Sequence, residues 1–99
     1  LRRVGGREAL LQRVLFRLTA RRGSFPFRED LGSRLWELGR VSAPERRSAA
    51  RQYVTEALEA EPVSVEDVDL EQGRDGPAAV TVRLRYEGES LPVTVEVVP

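Results

Sequence analysis

At Glu61-Pro62 the spacing of apolar residues changes, and that change limits the folds open to this chain more than any other feature. Before it, apolar side chains recur every three or four residues, the period of an amphipathic helix. After it they alternate, the period of a half-buried strand. On the helical side, Leu11, Val14, Leu15 and Leu18 fall at i, i+3, i+4 and i+7 and predict a first helix over residues 7–22. Leu31, Leu35 and Leu38 stand behind Asp30, a candidate cap, and predict a short second helix that stops at Gly39. Ser42-Ala43-Pro44-Glu45 matches the S-x-x-E capping box with proline in the first turn. It opens a third helix, to about residue 60, with Ala50, Tyr53, Val54, Ala57 and Leu58 as its buried face.

Beyond the switch, Val63 and Val65 alternate in one phase and Val68 and Leu70 in the other. One extra residue near Glu66-Asp67 therefore predicts a bulge. Asp75-Gly76-Pro77 marks a turn, and Val80, Val82, Leu84 and Tyr86 give a second strand. Glu87-Gly88-Glu89-Ser90 closes a hairpin onto Leu91, Val93, Val95 and Val97, the third strand. Pro92 falls in the opposite phase and, lacking an N–H, suits an edge. The expected fold class is α+β: three helices followed by a three-stranded antiparallel sheet, with the helices on one sheet face. Ninety-nine residues make a single domain, 1–99, with one modest core.

Residues 18–40 join the first two helices and carry Phe25-Pro26-Phe27, Trp36, Gly23 and Gly32. Pro26 forces Phe25 into an extended conformation. The flanking leucines predict a plug, with Phe25 or Phe27 and Trp36 closing one end of the helical layer. Gly23 is the expected stop of the first helix, with Arg21 and Arg22 on its negative end. Gly32 weakens a helix start unless a neighbouring backbone or ring lies close to it.

The chain has no cysteine and no histidine. That removes disulfides, thiolate metal sites, the usual general base and the commonest metal ligand. Carboxylates such as Glu29, Asp30, Glu61 and Asp67 can be paired on paper as a glycosidase would need. Any chain with sixteen acids offers such pairs, so they carry no specificity. No phosphate-binding glycine loop is present, and Asp67-Val68-Asp69 lacks the spacing of a calcium loop. The expectation is no catalytic residues, no cofactor and no metal. No apolar run approaches the ~20 residues of a membrane helix. The chain opens at Leu1 rather than Met, which leaves room for a removed N-terminal segment.

The zero net charge hides a division. Residues 1–51 carry thirteen arginines against five acids, a net +8, and residues 52–99 carry three against eleven, a net −8. Opposite halves suit packing against each other or head-to-tail contact with neighbours. Arg13, Arg17 and Arg21 repeat at i, i+4 and i+8, a stripe able to follow phosphates. With no net charge and no nucleic-acid-binding motif, pairing with the acidic half is favoured over that reading. A meander also has two open edges, and the last strand, with little charge to protect it, invites another strand.

Taken in order, Leu15-x-x-Leu18-Thr19, Arg22-Gly23-Ser24-Phe25-Pro26 and Leu31-Gly32-Ser33-x-Leu35 resemble the baseplate wedge proteins of contractile phage tails. That is the GPW-type "tail lysozyme" family, with the type VI secretion protein TssE as a relative. The resemblance runs the length of the chain. The family's Glu-Pro-Arg motif falls at Glu61-Pro62-Val63, where valine replaces arginine, and Leu31 stands where the family usually has tyrosine. The resemblance implies a structural baseplate part that links wedge proteins to sheath subunits, made in the bacterial cytoplasm and carried in the baseplate. It implies partner binding through Glu61, Pro62, Leu91, Val93, Val95 and Val97, by strand addition on the last strand. The family's lysozyme label implies peptidoglycan degradation as an alternative, which the residues do not support. Removing residues 91–99 is expected to abolish sheath attachment while leaving the helices folded.

Overall fold

The computed structural model describes residues 6–29, 31–72 and 78–97. Helix α1, Gly6–Thr19, buries Leu10, Val14 and Leu18. Leu15, expected in that stripe, is exposed, and Leu11 is only half-buried. The buried row is i, i+4, i+8 because helices pack along such inclined ridges rather than along a broad face centred on every apolar residue.

Helix α1 stops three residues short of the expected end. Ser33 N–H donates to the Ala20 carbonyl (2.9 Å) and Arg22 N–H to the Ser33 carbonyl (3.0 Å), which makes a parallel bridge of Arg21 and Ser33. Arg21 and Arg22 therefore lie past the helix, not in its last turn. Gly23, at φ +89°, turns the chain after the bridge. The same bridge holds the backbone around Ser33 out of helical geometry. The second helix accordingly begins late, as a 3₁₀ helix over Leu35–Arg40 that buries Leu35 and Leu38. The Asp30 cap and the Asp75-Gly76-Pro77 turn lie outside the described residues.

Ser42 opens a short 3₁₀ turn, Ala43–Glu45, that leads into α2, Arg46–Ala57. The capping-box residues bond to each other: the Ser42 hydroxyl donates to the Glu45 carboxylate (3.0 Å), and neither side chain caps a backbone group. Ala50, Val54, Ala57 and Leu58 are buried and Tyr53 half-buried, the face that periodicity predicts.

Strands β1, Ser64–Gln72, β2, Ala78–Tyr86, and β3, Glu89–Val97, form one antiparallel sheet in the order β1-β2-β3. The β1–β2 register shifts between Val65 and Asp67, so the bulge falls at Glu66, where the apolar phase changes. The extra residue brings Val65, opposite Leu84, and Val68, opposite Val82, to the same face. That face joins α1, packed on β3, and α2, packed on β1, in a single core. The opposite face is polar, and Thr81 and Thr94 share a hydroxyl hydrogen bond across it (3.1 Å). The class is α+β, with the helical layer preceding a meander that it covers on one side.

The plug forms only in part. Phe25 is half-buried against the Phe16 ring (centroids 6.0 Å apart, 52° tilt), while Phe27 is 96% exposed. Trp36 is half-buried between Arg21 (4.6 Å) and Arg40 (5.2 Å), each over its ring. The plug expectation is thus corrected for Phe27. Pro26 turns the loop so that only one of the two phenylalanines reaches α1.

Candidate functional site

Two features expected to meet partners belong to opposite edges of the sheet: the Glu61-Pro62 corner, which leads into β1, and β3. The corner forms where α2 runs out. Glu61 N–H donates to the Leu58 carbonyl (3.0 Å) and Val63 N–H to the Glu61 carbonyl (2.8 Å), a tight reversal that delivers the chain to β1. Pro62 fits the bend because it needs no donor there, and it is exposed.

The Glu61 side chain turns inward, 9% exposed, and reaches across to α1. Its Oε2 accepts from Arg17 Nε (2.7 Å) and its Oε1 from Arg13 Nε (2.9 Å). Burial pushes this carboxyl up, but the hydrogen bonds and charges of the two guanidiniums outweigh it, and the pKa lies below the ordinary glutamate value. Charge-assisted bonds of this length are the strong kind. Glu61 is therefore a clamp between the α2–β1 corner and α1. Valine at position 63 carries no charge, and the cations come from a helix more than forty residues earlier. Sequence spacing holds no signal for that pairing.

On β3, the side chains of Leu91, Val93, Val95 and Val97 are buried in the core. What the strand offers a partner is its outer backbone. Glu87 (φ +50°) and Gly88 (φ +81°) make a two-residue hairpin loop closed by the Tyr86–Glu89 pair. Hydrogen-bonded and open pairs alternate from such a loop. Leu91, Val93 and Val95 thus bond to β2, and Ser90, Pro92, Thr94 and Glu96 point their backbone groups outward. Pro92 occupies an outward position, where a missing N–H breaks no bond to β2. Among the described residues no backbone hydrogen bond from elsewhere in the chain reaches β3. The other edge is less open, because Arg47 Nε donates to the Val68 carbonyl (3.4 Å) and the Glu66 bulge interrupts it.

A small groove of about 230 Å³ lies beside the end of β3, lined in part by Ser33, Trp36, Glu96 and Val97. The Trp36 indole N–H is buried without a hydrogen-bond partner. A buried donor left unpaired is costly, and this one is closed off from the surface.

The rest of the arginine excess is largely internal. Arg34 pairs with Glu56 (3.1 Å), Arg47 with Asp69 (3.5 Å), Arg85 with Glu66 (2.9 Å), and Arg7 with Glu89. Each joins the first half to the second or stays within the acidic half. Of the expected phosphate stripe, Arg13 and Arg17 face Glu61 and Arg21 lies on Trp36. Among the described residues, no helix is long and apolar enough to cross a membrane.

No family model matches the sequence, and no curated protein matches it. The fold does match the crystal structure of a protein assigned as a tail lysozyme from Geobacter sulfurreducens. The TM-score is 0.71 at 15% identity, over 98% of this chain and 92% of that one. The two share an architecture end to end.

Proposed function

We propose that this protein is a structural component of a contractile tail or a related injection particle, joining baseplate wedge to sheath through its β3 edge. The observation that carries the reading is the fold match to a protein named as a tail lysozyme, over nearly the whole of both chains. The order of the Arg22-Gly23-Ser24-Phe25-Pro26 and Leu31-Gly32-Ser33 segments favours the same family. The open row of backbone groups on β3, with a small groove beside its end, suits a strand contributed by a sheath or wedge subunit.

The reading is non-enzymatic. A glycosidase acid needs a carboxyl whose pKa is raised, and Glu61 is held down by two arginines. Glu66 is lowered too, by hydrogen bonds from Ser90 and Arg85. A peptidoglycan suspension left uncleared by the purified protein is the expected result.

Thr94→Pro tests the strand addition. It deletes one outward N–H of β3 and the exposed Thr81–Thr94 hydroxyl bond, and spares the backbone β2–β3 ladder. The variant should fold, with its melting temperature within a few degrees of wild type, yet fail to yield sheathed particles by electron microscopy. Normal sheathed particles would refute the strand-addition mechanism. Absence of the wild-type protein from purified tail particles would refute the tail reading itself.

A further inference from the structure

Helix α1 turns an unusual face away from the core. Phe16 is 48% exposed, and it lines a groove of about 430 Å³ with Ala9, Gln12, Arg13, Arg17 and Leu31. Phe25 supports the Phe16 ring from the loop side, and Phe27 stands fully out on the same loop. Three guanidiniums, Arg13, Arg17 and Arg28, line the groove, and one carboxylate, Glu61, holds the first two from the protein side. Local charge is therefore positive over an apolar floor.

The geometry points to a docking groove for an acidic, amphipathic helix of a partner protein, with its apolar stripe on Phe16 and Leu31 and its carboxylates on Arg13 and Arg17. Three observations select that occupant. The charge is complementary to acids, and both arginines are already fixed in place by Glu61, so little side-chain freedom is lost on binding. Ala9 and Phe16 lie two turns apart, about 10 Å along α1, with small Ala9 allowing a second helix to approach closely. The groove is a shallow, open trough rather than a closed cavity, so a helix can be laid across it without displacing protein. This surface lies on the helical layer, apart from the β3 edge, and the inference does not depend on the tail reading.

The test uses a synthetic helical peptide of about sixteen residues, roughly four and a half turns. It carries leucine at i, i+3, i+4 and i+7 and glutamate on the flanks. A second peptide replaces every glutamate with lysine. Fluorescence anisotropy with the whole protein should show the acidic peptide binding at least about tenfold more tightly, a preference that falls with salt. Ala9→Glu places a like charge in the groove at a helix N-terminal turn, where it is compatible with folding. Ala9→Glu and Phe16→Ser should each weaken the acidic peptide about tenfold while thermal unfolding of Ala9→Glu stays near wild type. Equal binding of the two peptides, or full binding by both variants, overturns the proposal. So does wild-type dimerisation in sedimentation that Ala9→Glu abolishes, which assigns the face to a second copy. Binding to anionic vesicles that Phe27→Ser removes assigns it to a bilayer and overturns the proposal equally.

Discussion

Glu61 and Gly32 show how much of this fold hangs on single positions. The Glu61 carboxyl is ionised against two arginines, and its folded pKa is depressed. A depressed carboxyl contributes stability above its unfolded pKa, near 4.3, and that contribution disappears as pH falls through the lower folded value. Glu61→Gln should cost about 2 kcal/mol at pH 7, from lost charge-assisted hydrogen bonds. It should also flatten the loss of stability below about pH 4.5, as read by urea unfolding across pH. An unchanged acid limb would mean that Glu61 is not the clamp. Gly32 sits at φ +98°, and a Cβ there would meet Ala20 O at 2.7 Å and Arg22 N at 2.9 Å, both backbone. Gly32→Ala should lower stability by about 3 kcal/mol, since the left-handed conformation and the clash both count. Gly23→Ala, at φ +89° with nothing near the new Cβ, should cost only about 1 kcal/mol. Thermal melts of the two variants make the comparison.

Among the elements, the β2–β3 hairpin and the 3₁₀ helix follow opposite logics. The hairpin is local: alternation predicts which residues face the core, but the loop is Glu87-Gly88 alone rather than the four residues 87–90 expected, so Glu89 pairs with Tyr86 and Leu91 with Leu84. Its weak point is Glu87, a non-glycine residue at φ +50°. Glu87→Asn should raise the melting temperature by a few degrees, because asparagine adopts this conformation more readily at the first loop position. A drop would show that the Glu87 side chain holds a contact that matters. The 3₁₀ helix is not local. Its leucine spacing is helical, but Ser33 is held by α1, donating its hydroxyl to the Leu18 carbonyl (2.7 Å) and its N–H to Ala20. That tertiary bond delays the helix and tightens it.

Across the whole molecule, the two oppositely charged halves pack as layers of one body. Arg13, Arg17 and Arg47 of the helical half meet Glu61 and Asp69 of the acidic half. The core is equally shared, since Leu91, Val93, Val95 and Val97 pack with Leu10, Val14 and Val54 in one cluster. Removing residues 91–99 therefore should not leave the helices folded. It strips four core side chains and bares the central strand. The truncated protein should lose its near-ultraviolet circular dichroism and its cooperative melt, and a sharp melt would show that the helical layer stands alone.

Periodicity determined the element order, the bulge at Glu66, the buried faces of α2, β2 and β3, and the edge position of Pro92. Each is a local consequence of side-chain spacing and backbone sterics. Charge counting determined that the halves attract but named no pair. Only the tertiary structure decided that Glu61 takes Arg13 and Arg17, that Ser33 ends one helix and delays the next, and that Phe16 and Phe27 stay exposed. Those outcomes depend on contacts between residues far apart in the chain, and no spacing along the chain encodes which distant groups will meet.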